Sequence, residues 1–220
     1  MYDIIVIGAG IAGTSAAAEL ALDARVLLLE SEARPGMHAT GRSAAYFAPT
    51  YGNETVQNIT AASEGFFRNP PTGFAETPLI HSRDLLFVGT RSQTRSIDAL
   101  QAANPSLSAI NAAELARRVP IIKSNTLNQG LIDPVGGDLD VDALLQGYLR
   151  LYRQRGGALF TRCAVTGLSN RLGQWQVDLG DRQVTAPIIV NAAGAWADEV
   201  AALAALAALR PLGLLPKRRT

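Results

Sequence analysis

The chain has 220 residues, about one and a half domains at roughly 150 residues per domain. Its 48% hydrophobic content supports a packed core and excludes disorder; 20 Lys and Arg against 19 Asp and Glu, a net charge of +1, leave no basic excess for nucleic acid. A single cysteine, Cys163, and two histidines exclude a disulfide framework and a metal site built from Cys or His.

The N-terminus has no basic flank before its apolar run, and Ile4 to Ile7 is too short for a signal-peptide core or a membrane span. The cytoplasm is therefore the expected compartment, with a peripheral membrane contact left open. Tyr2 to Ile7 reads as a buried strand, Ile11 to Ala21 as an Ala-rich helix, and Arg25 to Glu30 as a second buried strand. Strand, helix and strand within about 30 residues make a βαβ unit with parallel strands. Residues 31–54, punctuated by Pro35, Gly36, Gly41, Pro49 and Gly52, read as a long loop of the kind that carries function.

Thr55 to Asn69 has helical spacing and stops at Pro70-Pro71. Leu79 to Val88 reads as one strand, and 91–103 and 112–118 as surface helices, the second with Asn111 and Glu114 as a capping pair. Val141 to Arg155 carries the clearest apolar stripe, with Gly156-Gly157 at its end. Strands are expected near 158–162, 164–169, 174–178 and 182–186, with Gly180-Asp181 as a hairpin turn and Pro187 to Asn191 as a further buried strand. Ala195 to Leu209 reads as a packed helix.

Two motifs carry chemistry. Gly8-Ala9-Gly10-Ile11-Ala12-Gly13 fits G-x-G-x-x-G between a strand and a helix. Gly8 permits the tight turn, Gly10 a close backbone approach to a pyrophosphate, and Gly13 close helix–strand packing. The helix start offers free N–H groups and the positive end of its dipole. Glu30 ends the second strand 17 residues after Gly13, where a carboxylate accepts ribose hydroxyl bonds and repels a 2′-phosphate, leaving FAD and NAD. The second motif, His38-Ala39-Thr40-Gly41-Arg42-Ser43-Ala44-Ala45, combines small residues, two hydroxyls and a cation. It suits a large flat ligand with phosphates, and equally a helix start capped by Thr40 or Ser43.

These runs resemble the D-amino-acid oxidase-like FAD-dependent oxidoreductases. The resemblance extends through Gly137-Asp138-Leu139-Asp140-Val141-Asp142 and Asn191-Ala192-Ala193-Gly194-Ala195-Trp196. Within that family, Thr60–Ser63, Asn69–Phe74 and Arg210–Arg219 are similar to the D-arginine dehydrogenases. The resemblance implies a Rossmann-like α/β FAD-binding domain of the GR2 type at 1–78 and 136–205. An incomplete mixed-sheet α+β substrate domain would occupy 79–135 and 206–220.

The implied cofactor is FAD. Gly8, Gly10, Ala12, Gly13, Glu30 and Ser31 would hold its ADP half. Ala39, Thr40, Gly41, Arg42, Ser43, Ala44, Ala45 and Tyr46 would line the pyrophosphate and flavin, with Ala164 and Val165 on the adenine side and Gly194 on the closing turn. Tyr51 would cover the substrate and Arg219 bind its carboxylate, a role that suits a guanidinium fork. Tyr46 and Tyr51 are the candidates for moving a proton.

Two departures from the D-arginine dehydrogenase pattern matter: Tyr46 stands where a His is found, and Leu85 where an acidic residue reads a basic side chain. The substrate expected is a neutral or apolar D-amino acid or a related amine, with the electron acceptor open. Relatives attach flavin through a His in a run like that of His38, but a non-covalent FAD is expected here. The implied reaction is hydride transfer to flavin, giving an imine and then a keto acid and ammonia. The chain is expected to be an N-terminal portion, inactive alone. Rival readings are an NAD-binding dehydrogenase and a non-catalytic flavoprotein fragment.

Overall fold

Ile4-Ile5-Val6-Ile7 and Val26-Leu27-Leu28-Leu29 are apolar at every position, so as strands they need cover on both faces. The computed structural model, which describes residues 1–121 and 127–204, provides it. In chain order the elements are β1 (Ile4–Ile7), α1 (Ile11–Leu20), β2 (Val26–Leu29), β3 (Tyr46–Phe47), α2 (Glu54–Arg68), β4 (Ile80–Ser82), β5 (Leu85–Gly89), α3 (Thr94–Ala103), β6 (Ser108–Asn111), α4 (Ala112–Arg118), β7 (Gln129–Asp133), β8 (Gly137–Leu139), α5 (Val141–Gln154), β9 (Ala158–Phe160), β10 (Gly167–Arg171), β11 (Gln174–Asp178), β12 (Gln183–Ala186), β13 (Ile188–Asn191) and α6 (Ala197–Leu203). The described residues form two compact units: Met1–Ser43 with Thr72–Ala75 and 141–204, and Ala44–Pro71 with the described part of 76–140.

The first unit is Rossmann-like α/β. A parallel sheet runs in the order β13-β1-β2-β9, with Ile4 paired to both Ile188 and Val26. Ile4, Val6, Val26 and Leu28 pack against Ala17, Ala18 and Ala21 at α1 and against Tyr152 of α5. Small alanines let α1 lie close to the sheet. Tyr152 is fully buried, and its hydroxyl lies 2.7 Å from the Val26 carbonyl and 2.8 Å from that of Ala158. The alternate residues Ile5, Ile7, Leu27 and Leu29 face the other way, onto Cys163, Val177, Leu179 and Ala186. That cover comes largely from the antiparallel sheet β10-β11-β12. The expected turn at Gly180-Asp181 closes β11 onto β12, with Gly180 at φ +87°. Residues 72–75 join this unit through Phe74, whose ring meets Tyr148 of α5 edge-on at 4.9 Å.

The second unit contains two antiparallel sheets, β3-β8-β4 and β5-β7-β6, with α2, α3 and α4. Here the structure departs from the expected elements. Leu79 to Val88 is two strands: β4 pairs with β8 and β5 with β7. The break falls at Arg83 and Asp84, which form ion pairs with Asp138 and Arg118 respectively. Alternating apolar residues report a strand's face but not its partner, so a change of sheet is invisible in the pattern. Strands β6, β7 and β8 were not expected, nor was β3 inside the long loop; each is short and depends on pairing with distant residues. Residues 164–166 are not in a strand, and β10 begins at Gly167. Asn111 does cap α4, its side chain accepting the Glu114 N–H at 2.9 Å. The Glu114 carboxylate, however, bridges Arg117 and Arg118. The helix expected at 195–209 appears as a 3₁₀ turn, Gly194–Trp196, followed by α6; residues beyond 204 lie outside the described ones. No helix among the described residues is long and apolar enough to cross a membrane.

Candidate functional site

Parallel strands that end together leave a crevice beyond their C-terminal edge. In the first unit that crevice is a cavity of 710 Å³, within the range of about 300–1,000 Å³ common for small-molecule sites. Its walls are Gly8 and Gly10 after β1, Leu29 to Glu32 at the end of β2, the 36–42 segment, Cys163 to Val165, and the 192–196 turn with α6.

The glycine loop is shaped by steric necessity. Gly8 has φ +101°, and a Cβ there would lie 2.5 Å from the Ala192 carbonyl oxygen. A Cβ on Gly13 would overlap the carbonyl oxygen of Gly8. Of the N–H groups opening α1, that of Ile11 donates to Thr40 Oγ1 at 3.0 Å. Those of Ala12 and Gly13 meet no acceptor among the described residues. Thr40 therefore caps a helix 29 residues earlier in the chain, a role that neither reading of the His38–Ala45 run anticipated. The long 31–43 segment is a series of turns pinned to this loop, with Gly36 N–H donating to Ala9 O at 3.1 Å and Gly41 N–H to Gly36 O at 2.7 Å.

Glu30 is 8% exposed. Its Oε2 accepts the Ala9 N–H at 2.9 Å, and its Oε1 accepts the Glu32 N–H at 2.9 Å and the Ser31 hydroxyl at 3.2 Å. A carboxylate offers about four acceptor positions, so one on Oε2 stays available to a ligand hydroxyl. His38 Nε2, also on the lining, lies 2.8 Å from Glu32 Oε1, and the His38 ring sits 4.5 Å from that of Trp196.

A second cavity, of 630 Å³, lies within the second unit. Phe47, Ile59, Phe67, Leu85 and Leu139 make it largely apolar; Thr60 and Ser63 add hydroxyls, and Arg83 is the cation among its lining residues. Tyr46 and Tyr51 also line it, and Tyr51 is 73% exposed. The Tyr46 hydroxyl donates to the Arg83 carbonyl, and the Arg83 guanidinium stacks over the Tyr46 ring at 4.9 Å. Burial pushes the Tyr46 phenol above its ordinary value; Arg83 opposes this, while Asp133, Asp138 and Asp84 add to the rise. Tyr46 is thus a protonated wall whose proton is committed to the backbone. Arg83 forms a fork with Asp138 at 2.5 and 2.7 Å and holds that carboxyl below the usual range.

Of the residues singled out from sequence, Gly8, Gly10, Glu30, Ser31, Ala39, Thr40, Arg42, Ala164, Val165 and Gly194 line the first cavity. Ala12 and Gly13 lie in the first turn of α1, behind that lining, and Gly41 and Ser43 sit in turns beside Thr40. Ala44, Tyr46 and Tyr51 line the second cavity, and Ala45 accepts a backbone bond from Leu139. Arg219 lies outside the described residues. Cys163 and Trp196 were not singled out as site residues although they line the first cavity, and their places within or beside the quoted runs were the available signal; His38, weighed from sequence only as a point of flavin attachment, lines it too. Arg83 had none.

The first cavity fits the cofactor implied by the sequence: glycines where a Cβ would clash, open N–H groups at a helix start, and a fixed carboxylate at the end of β2. Mouse dimethylglycine dehydrogenase is 27% identical over 215 residues, covering 90% of this chain and 24% of that protein. Escherichia coli L-2-hydroxyglutarate dehydrogenase is 29% identical over 184 residues, covering 77% and 42%. The chain thus spans less than half the length of these curated relatives. The fold is similar to that of dithionite-reduced L-alpha-glycerophosphate oxidase from Mycoplasma pneumoniae with FAD bound, at a TM-score of 0.79 and 17% identity, covering 93% of this chain and 57% of that one. The model of the family described as FAD dependent oxidoreductase, DAO, matches residues 3–219, and the chain belongs to that family.

Proposed function

We propose that this chain is the cofactor-binding part, with the first portion of the substrate-facing part, of a cytoplasmic enzyme that oxidises a D-amino acid or related amine. The observation that carries the reading is the first cavity, where Glu30 and the glycine-loop residues Gly8 and Gly10, immediately ahead of α1, frame a site for an adenine dinucleotide. Ala12 and Gly13 would donate to the pyrophosphate, Thr40 would orient the helix start, and Glu30 would accept the ribose hydroxyl. Arg42, also on the wall, supplies a positive charge for the phosphates. Bound FAD supplies the hydride acceptor. The expected division of the chain at 78/79 and 135/136 is a division by ligand rather than by compactness, and it forms part of this proposal.

The second cavity would take the substrate. Its wall at Leu85 is apolar and cannot pair with a guanidinium, which favours neutral side chains such as those of D-alanine, D-methionine or D-phenylalanine. Tyr51 would cover the substrate, and Arg219 would bind its carboxylate. The imine product would hydrolyse to a keto acid and ammonia.

The test has two stages. An absorbance scan of the purified chain after incubation with FAD should show protein-bound flavin bands; retention of NAD instead would overturn the cofactor assignment. In the complete enzyme, kcat/KM for D-methionine should exceed that for D-arginine by about 10-fold or more, and Leu85→Glu should narrow that ratio. A preference for D-arginine, or turnover of L-2-hydroxyglutarate in place of any amine, would sink the substrate assignment.

A further inference from the structure

Asp133 ends β7 and is 1% exposed, among the most buried charged groups described. No cation pairs with it among the described residues. Its carboxylate is held by two neutral donors: the Val135 N–H at 3.0 Å on Oδ1, and the Thr50 hydroxyl at 2.9 Å on Oδ2. A desolvated carboxylate is costly unless its oxygens accept hydrogen bonds, so the Thr50 hydroxyl proton is held in one direction.

Asp133 lies directly opposite Leu85 in the antiparallel β5–β7 register. Opposed residues share a face of the sheet, which places the carboxylate beside a wall residue of the second cavity. Thr50, itself 8% exposed, immediately precedes Tyr51. The other bonds of this turn are Tyr51 N–H to Ala48 O at 3.1 Å and Gln57 Nε2 to the carbonyls of Thr50 and Gly52 at 3.1 and 3.3 Å, with a longer contact of 3.4 Å from Gln57 Nε2 to Asn104 Oδ1 beyond α3. Thr50–Asp133 is the side-chain bond that ties the turn to the sheet, across 83 residues of sequence. Tyr51 is too exposed for packing to aim it, so its direction follows from the backbone that carries it.

We infer that Asp133, acting through Thr50, is a positioning residue for Tyr51 at the second cavity. The inference deepens the proposed function and rests on the second cavity taking the substrate.

The test uses the complete FAD-loaded enzyme with Thr50→Val, which keeps the shape and removes the donor, and Thr50→Ser, which restores the donor. Asp133→Asn keeps the shape without the charge and serves if Thr50→Val fails to fold. Hydrogen exchange at residues 50–52 should quicken roughly tenfold in Thr50→Val, while exchange in β1 and the flavin spectrum stay as in the parent. KM for D-methionine should rise more than kcat falls, Thr50→Ser should reverse both effects, and adding Tyr51→Phe to Thr50→Val should raise KM less than it does in the parent. Unchanged exchange at 50–52 would overturn the inference. So would exchange that rises uniformly across the second unit together with KM, because that marks a merely structural role. If the parent enzyme turns over no amino acid, the substrate assignment fails, and the exchange at 50–52 still decides the anchoring.

Discussion

Every residue of β1 and β2 in the first unit is buried, whereas α2 in the second unit buries none of its residues and β6 is mostly exposed. The first cavity draws its central features from a strand–loop–helix–strand run between Ile4 and Glu30. The second draws its wall from α2, β3, β5 and β8 together with the turns between them. The central features of one cavity thus come from residues close in sequence, although its remaining walls come from 36–42, 163–165 and 192–203. The other depends on pairings such as Leu85 with Asp133 and bonds such as Thr50 with Asp133. A motif can specify the first kind of site, because its parts are neighbours before the chain folds. The second exists only once distant strands have found each other.

The comparison can be broken most severely at Gly13. Gly13→Ala forces a Cβ onto the Gly8 carbonyl oxygen and should cost about 3 kcal/mol, with loss of retained flavin. Thermal unfolding together with flavin absorbance measures both, and a variant that keeps its flavin and its melting point would show that the loop tolerates repacking. Thr40→Val sharpens the comparison, since it removes the acceptor of the Ile11 N–H at the start of α1. It should cost about 1 kcal/mol and weaken FAD binding about fivefold, read by flavin fluorescence titration.

The smallest effect compares the two units directly. Asp3 in the first and Glu114 in the second are each held at about 2, from 3.8 and 4.5, by Arg25 and by Arg117 with Arg118 respectively. Because the folded values lie below the unfolded ones, the stabilisation is present above about pH 4.5 and is lost as pH falls toward 2. Both carboxylates keep contact with solvent, with side chains 45% and 29% exposed, so the loss should be slight for each. Urea midpoints of Asp3→Asn and Glu114→Gln between about pH 5 and pH 2 measure it, and variants that steepen the acid transition would contradict the sign.

The sequence was most readable where structure is local. The G-x-G-x-x-G loop, the Ala-rich helix, the two all-apolar strands, the α5 stripe and the Gly180 turn all follow from neighbouring residues. It was least readable at β6, β7 and β8. Gln129-Gly130-Leu131-Ile132-Asp133 carries no strong strand pattern, yet it is the central strand of its sheet because β5 and β6 pair on its two edges. Thr40 shows the same limit inside the first site: its hydroxyl suggested either a phosphate donor or a cap for its own helix, and in the structure it caps α1.

By itself the sequence determined the parallel βαβ start and the carboxylate at the end of β2, because glycine sterics, apolar runs and a charge at a strand end act within some 30 residues, while the family was legible only as a resemblance spread over nearly the whole chain. The tertiary structure alone decided that Leu79 to Val88 divides between two sheets, that Tyr46 and Tyr51 share a cavity with Arg83 and Leu85, and that a buried carboxylate 83 residues from Thr50 anchors the turn beside Tyr51. A side-chain pattern states which face of an element is apolar; only the closed chain states what that face meets.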